Sequence, residues 1–234
     1  MYIRSRLLLY RCLTCNQYYR GDERICKLCQ THLPWLKDAC IRCAMPLNKQ
    51  SYRLCYDCRH DPNHCLAKKS VFCFEYLRPI DHMIKAWKFN GNLLYERFFS
   101  DALINRIKQT KLEKLPDAIM SVPISKKRCQ ERGFNQAMQL SKRIAKQFKI
   151  NRLDDIIKCS NQKAHQSLLN ARDRKQHLSN TFFIKKAKQL PKHIALIDDV
   201  MTTGSTLNAM AKLLKQHDVN RVDYWGIARV NKKR

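Results

Sequence analysis

The stretch HIALIDDVMTTGSTL, His193 to Leu207, decides the fold. Ile194 to Ile197 have the length and composition of a buried strand. The run ends in adjacent aspartates, Asp198 and Asp199, and Thr202-Thr203-Gly204-Ser205-Thr206 then form a turn into a helix that reaches about His217. Ligands of open α/β sheets bind beyond the carboxyl ends of strands, and the acidic pair is expected there. Backbone N–H groups, the positive helix end and several hydroxyls converge on a space the size of a phosphate. Gly204 lets the main chain approach such an anion closely. This is not a Walker loop, because the GxxxxGK[ST] spacing and its lysine are missing. Two carboxylates repel a bare anion, yet they accept hydrogen bonds from vicinal hydroxyls. A sugar phosphate satisfies both halves of the motif. Helix capping or a structural ion is the weaker alternative for the pair.

Working outward, VFCFEY (Val71 to Tyr76), DAIMSVP (Asp117 to Pro123) and RVDYWGIARV (Arg221 to Val230) are further strand candidates, and Phe182 with Phe183 starts another. Helical periodicity runs from about Ile80 to Phe89 and from Leu93 to Lys108, with Leu94, Phe98, Leu103 and Ile107 on one side. Asn135 can cap a helix whose apolar face is Ala137, Leu140, Ile144 and Phe148. Strand and helix alternate, which predicts an α/β fold with a mainly parallel sheet over residues 69–234.

Residues 1–68 read differently. Eight of the twelve cysteines fall as CxxC pairs: Cys12/Cys15, Cys26/Cys29, Cys40/Cys43 and Cys55/Cys58. Each pair points two thiolates at one ion, so four pairs predict two structural Zn(Cys)4 sites. Sequential pairing is the simplest arrangement, and an interleaved one also satisfies the spacing. Eight thiolates leave no open position for catalytic zinc, and a redox role would more naturally use one pair before a helix. Such sites stabilise a piece too small to own a core. Cys65, Cys73, Cys129 and Cys159 lack a partner at ligand spacing and read as inert thiols, and His60 and His64 read as loop residues.

Charge narrows the partners. Lys and Arg number 46 against 19 Asp and Glu, a net charge of +27, which two Zn(Cys)4 centres lower to about +23. Such an excess favours polyanions, nucleic acid above all. No apolar segment is long enough for a signal peptide or a spanning helix, so the chain is expected in the cytoplasm. Between Lys126 and Lys192 there are 18 Lys and Arg against four acids, interspersed with Phe134, Phe148, Phe182 and Phe183. Phosphate neutralisation with stacking rings is the physics of single-stranded DNA binding. Phe148 fits a helix face, which leaves Phe134, beside Gly133, as the stacking candidate.

IALIDDVMTTGST closely resembles the phosphoribosyl-pyrophosphate signature of type I phosphoribosyltransferases. The resemblance implies that Asp198 and Asp199 hold the ribose hydroxyls and that Thr202, Thr203, Gly204, Ser205 and Thr206 hold the 5′-phosphate. Mg²⁺ would arrive chiefly with the pyrophosphate. A narrower resemblance covers nearly the whole chain. The CxxC pairs, WKFNG (Trp87 to Gly91), SVPISKKRCQERGFNQA and HQSLLNARDRKQHLSNTF are similar to segments of the ComF family, which includes GntX-type proteins. The chain departs from the family at His165 and His177, where Thr and Asn are frequent. The family resemblance implies a role in natural competence, with partners that include a competence helicase and the DNA-uptake machinery at the inner membrane. The phosphoribosyltransferase resemblance places a pyrophosphate-binding turn and a mobile lid after Pro123. Arg132 is then the pyrophosphate candidate, and Lys126, Lys127 and Arg128 are shared between pyrophosphate and DNA. If turnover occurs, Asp198, Asp199 and Arg132 are the catalytic candidates. Nucleobase salvage and a zinc-ribbon DNA-binding scaffold are the competing readings; no residue set names a base pocket, and the intact cradle opposes decay to a scaffold.

Overall fold

Alternation of buried runs with amphipathic helices builds the expected sheet, seen in a computed structural model that describes residues 9–21, 23–47, 52–91, 93–159, 182–184 and 189–231. Strands β1 (Leu9–Arg11) and β2 (Tyr18–Arg20) pair as a small antiparallel hairpin, followed by α1 (Lys27–Thr31) and α2 (Tyr56–His60). Then come β3 (Ser70–Glu75), α3 (Ile80–Asn90), α4 (Leu93–Gln109), β4 (Ala118–Ser121), α5 (Lys126–Arg132) and α6 (Gln136–Phe148). The chain continues through β5 (Asn151–Arg152), β6 (Ile157–Cys159), β7 (Phe182–Ile184), β8 (His193–Met201), α7 (Ser205–Lys215) and β9 (Arg221–Arg229).

Five strands form one sheet in the order β3-β9-β8-β4-β5, every neighbouring pair parallel. Strands β6 and β7 form a separate antiparallel pair. In the central strand β8, Ile194 to Ile197 are all apolar because both faces of the strand are covered. Ile194 and Leu196 join a cluster with Leu207, Met210 and Leu214 of α7 and with Leu36, Cys40, Cys43 and Cys58. Ala195 and Ile197 join a second cluster with Ile84 and Trp87 of α3, Leu103 of α4, Leu140 of α6, and Cys12, Ile25 and Leu33. The cysteine-rich module therefore contributes apolar residues to both faces. It also covers the edge strand: Leu36 N–H donates to Cys73 O at 2.8 Å, Glu75 N–H donates to Pro34 O at 2.8 Å, and the Trp35 ring packs at a tilt against Phe74. Such cover removes an edge open to unwanted pairing.

The cysteines gather sequentially. Cys12, Cys15, Cys26 and Cys29 form one cluster and Cys40, Cys43, Cys55 and Cys58 the other, with all ligand atoms of each within 4.8 Å of one another. Sulfur separations of 3.9 Å (Cys15–Cys26) and 3.5 Å (Cys43–Cys55) suit a tetrahedral Zn–S centre. Bonds of about 2.3 Å set its sulfurs about 3.8 Å apart. Both sites thus fit structural zinc, and the interleaved alternative is ruled out. His64 comes near Asp57 and Cys55, but Cys55 already belongs to the second cluster. Of the remaining thiols, Cys65 and Cys73 are buried as expected, whereas Cys129 is exposed on α5.

At the amino end of the sheet, Asp223 of β9 is fully buried and fully engaged. Its carboxylate accepts from Lys69 N–H at 3.1 Å and from two Arg221 nitrogens, and it faces His193 Nε2 at 3.0 Å. Burial pushes this carboxyl up, but the hydrogen bonds from His193 and Arg221 hold it below the usual carboxylate range. Removing one member strands the others, so Asp223→Ala should cost about 3–5 kcal/mol in urea denaturation at pH 7. A depressed folded pKa contributes stability that is present above the unfolded pKa and lost as pH falls through the folded value. The gap between wild type and variant should therefore close in acid.

Candidate functional site

The site grows from the second half of β8. The apolar pattern predicts a strand ending at Ile197, but the ladder to β9 continues through Asp198↔Gly226 to Met201↔Arg229. The acidic pair is thus held inside the strand, not beyond it, because main-chain hydrogen bonding to β9 is indifferent to side-chain charge. Glycine is required opposite: a Cβ on Gly226 would lie 2.4 Å from the Phe72 ring and 2.7 Å from Asp198 O. On its other flank β8 loses its neighbour early. Strand β4 ends at Ser121, paired with Ile197, and Val122 N–H makes the next bond to Ile197 O at 2.9 Å. Beyond that point the edge of β8 carrying Asp198 and Asp199 is not paired with β4.

Successive strand side chains leave opposite faces. Asp199 therefore points towards the α3 side, where Lys88 Nζ lies 2.6 Å from its Oδ2. Asp198 accepts a hydrogen bond from Asp199 N–H at 2.8 Å. Burial, and then repulsion from Asp199, push the Asp198 carboxyl up to about 8. Lys88 is the residue beside the acidic pair that sequence reasoning left without a role, although WKFNG contains it. Lys88→Met leaves two adjacent carboxylates without their cation. Both partners are partly screened by solvent, so a loss of about 1–3 kcal/mol in stability is expected at pH 8. The loss should shrink at pH 5, where Asp198 is protonated; urea titrations at the two pH values measure it.

After Met201 the chain turns sharply. Gly204 sits at φ +78°, a left-handed conformation, and begins α7 without a side-chain cap. The first-turn N–H groups of a helix lack intrahelical acceptors. The hydroxyls are ordered among themselves: Thr203 Oγ1 donates to Ser205 Oγ at 2.8 Å and accepts from Ser205 N–H at 3.2 Å. Thr202 and Thr203 are exposed, and Gly204, Ser205 and Thr206 are half-buried. The structure thus sets a hydroxyl-rich helix start directly after two carboxylates.

On the other side of the gap, Asn135 bridges β4 to α6. Its Nδ2 donates to Val122 O at 3.0 Å while its Oδ1 caps α6 through Ala137 N–H at 3.0 Å. The segment KKRCQER, where the phosphoribosyltransferase resemblance puts a pyrophosphate turn and a mobile lid, forms helix α5. Ser125 Oγ accepts from Arg128 N–H at its start and Gly133, at φ +75°, closes its end. Lys126, Lys127 and Arg128 are exposed on it. Arg132 is half-buried, with its guanidinium 6.0 Å from the ring centre of Phe89 of α3 and bonded to Gln136 Oε1. Phe134 is half-buried against the apolar cluster beside Gly91. Phe89, at 70% exposure, offers the freer ring. His165 and His177 lie outside the described residues.

Chemically, the arrangement offers two carboxylate acceptors, a helix start with hydroxyls, and cations from α3 and α5 on neighbouring elements. No helix of the described residues is long and apolar enough to cross a membrane.

Residues 5–59 match the double zinc ribbon domain family. Competence protein F of Haemophilus influenzae is 32% identical over 227 residues, covering 94% of this chain and 97% of that protein. DNA utilization protein YhgH of Escherichia coli K12 is 29% identical, covering 89% and 92%. Competence protein ComFC of Streptococcus pneumoniae is 24% identical, covering 94% and 100%. Among solved structures, adenine phosphoribosyltransferase of Trypanosoma brucei is similar at 17% identity with a TM-score of 0.39, covering 62% of this chain and 56% of that one. With a relative of such identity along nearly its whole length and a double ribbon at its amino-terminal end, the chain belongs to the competence protein F family.

Proposed function

We propose that this protein acts in the uptake or handling of transforming DNA, binding phosphoribosyl pyrophosphate with Mg²⁺ and, through the exposed cations of α5, single-stranded DNA. Residues 1–68 serve as the double ribbon and residues 69–234 as the sugar-phosphate domain. The names of its relatives support the competence role. One observation supports the ligand: among the described residues the edge of β8 that carries Asp198 and Asp199 is unpaired beyond β4, and the chain then turns into the hydroxyl-rich start of α7. A ribose in that gap meets both carboxylates, one from each face, while its 5′-phosphate reaches Thr202 to Thr206. Lys88 and Arg132 are the cations nearest to hand for a pyrophosphate, with Mg²⁺ neutralising its charge when bound.

Calorimetric titration of the zinc-loaded protein with phosphoribosyl pyrophosphate and Mg²⁺, with and without a single-stranded oligonucleotide, tests the reading. Saturable one-to-one binding supports it; no heat at millimolar ligand rejects the sugar-phosphate site. Pyrophosphate release that depends on one nucleobase would instead favour a salvage enzyme. The DNA surface has its own test. Replacing Lys126, Lys127 and Arg128 with Gln should flatten the slope of log affinity against log salt by about 2, at about 0.7 per single-strand phosphate contact. An unchanged slope moves the DNA contact away from α5.

A further inference from the structure

Arg229, the last residue of β9, is 2% exposed despite its permanent charge. Burying a guanidinium is costly unless its donors are satisfied. Four backbone carbonyls accept from it, and the Cys43 thiol lies against it as well. Nε donates to Cys43 O at 2.8 Å, and Nη1 donates to Met201 O at 3.0 Å, to Val230 O at 2.7 Å and to Thr202 O. One side chain therefore joins the second cysteine cluster, through a residue that supplies one of its thiolates, to the last residue of β8 and the first residue of the phosphate turn.

The peptide bond fixes what this does. In a planar trans peptide the N–H points opposite to the preceding C=O. Holding Met201 O orients the N–H of Thr202, and holding Thr202 O orients the N–H of Thr203. Both are aimed away from Arg229, and neither has an acceptor among the described residues. The same hydrogen bonds place Arg229 beside a Zn(Cys)4 centre of formal charge −2, which offsets its charge where no carboxylate is paired with it among the described residues.

We propose that Arg229 is a positioning residue that carries the geometry of the second zinc knuckle to the phosphate turn, presetting the Thr202 and Thr203 amides for an anionic ligand. This rests on the proposed sugar-phosphate reading only for the identity of that anion. Lysine keeps the charge but cannot spread donors over several carbonyls.

The first measurement is amide hydrogen exchange in the ligand-free, zinc-loaded protein. Arg229→Lys should speed exchange of the Ser205 and Asn208 amides, which are bonded to Thr203 Oγ1 and Gly204 O of the turn, at least about tenfold while retaining two zinc equivalents per chain. Asp223→Ala, destabilised at the opposite end of the sheet, should leave exchange in that turn near the wild-type rate. Affinity for phosphoribosyl pyrophosphate should fall at least about tenfold in Arg229→Lys and not in Asp223→Ala. Exchanging zinc for the larger cadmium ion should change that affinity by about threefold or more in wild type and leave Arg229→Lys unaffected. If Arg229→Lys does not fold, Arg229→Gln, which keeps donors without a buried charge, replaces it. Wild-type exchange and affinity in the folded variant overturn the assignment, and a wild-type affinity indifferent to the metal overturns its link to the knuckle. Should the wild-type protein bind no phosphoribosyl pyrophosphate, the functional reading falls, and exchange in the turn alone decides the role of Arg229.

Discussion

Asp198→Asn combined with Asp199→Asn should weaken phosphoribosyl pyrophosphate binding at least about 100-fold. Each hydrogen bond to a charged group contributes about 1.5–3 kcal/mol, and 1.4 kcal/mol corresponds to tenfold in affinity. The single variant Asp198→Asn separates binding from folding. Without ligand, the Asp198 carboxyl is pushed up to about 8 by burial and by its neighbour. A carboxyl raised in the folded state binds more protons there than in the unfolded chain, so stability declines as pH rises from the ordinary carboxylate range towards 8. The neutral amide escapes that cost. Asp198→Asn should gain roughly 1 kcal/mol at pH 8.5 in the unliganded protein, shrinking to nothing near pH 4, while losing the ligand. Thermal melts across pH and calorimetry read the two effects. Full affinity in the double variant would remove the ribose from this place.

Zinc removal should occur in two unequal steps. Cys15 is exposed and Cys26 and Cys29 are half-buried, whereas all four cysteines of the second cluster are buried. The second set places all four cysteines in the apolar cluster shared with the sheet and α7, whereas of the first set only Cys12 is a core member, with Cys26 and Cys29 packed against its cluster. A chelator is expected to take the first equivalent with little change in near-ultraviolet circular dichroism, and the second only with cooperative unfolding. Structural zinc supplies about 10–16 kcal/mol at neutral pH, comparable to the whole stability of a domain. Because thiolates must be deprotonated to hold the metal, both steps should advance as pH falls. Colorimetric zinc release followed alongside dichroism checks the order. Simultaneous loss of both ions without unfolding would contradict the shared core.

The two largest features were legible for different reasons. CxxC pairs are local, and their spacing alone fixes eight ligands, but sequential and interleaved pairing satisfy it equally; only proximity in the fold selects the first. Strand β8 announced itself through Ile194 to Ile197, yet its continuation to Met201 depends on β9, whose backbone bonds carry no sequence signal. Helix α5 was missed because KKRCQER has no apolar stripe and is defined by its caps at Ser125 and Gly133. Phe134 was singled out by charge and glycine context, while the more exposed Phe89 looked like any helix-face aromatic.

The sequence by itself determined the chemistry available to this protein: eight thiolates at metal spacing, an acidic pair before a hydroxyl-glycine turn, an α/β alternation and a large cationic excess. These are properties of neighbours along the chain, where periodicity and spacing act. The tertiary structure alone decided which distant groups meet. Lys88 reaches Asp199 because α3 packs on the face to which the strand's alternation sends that carboxylate. Arg229 reaches both Cys43 and the phosphate turn because β9 lies beside β8 and under the second ribbon. Contacts of that kind arise when a buried charge must find partners across the core, and no local pattern encodes which ones it will find.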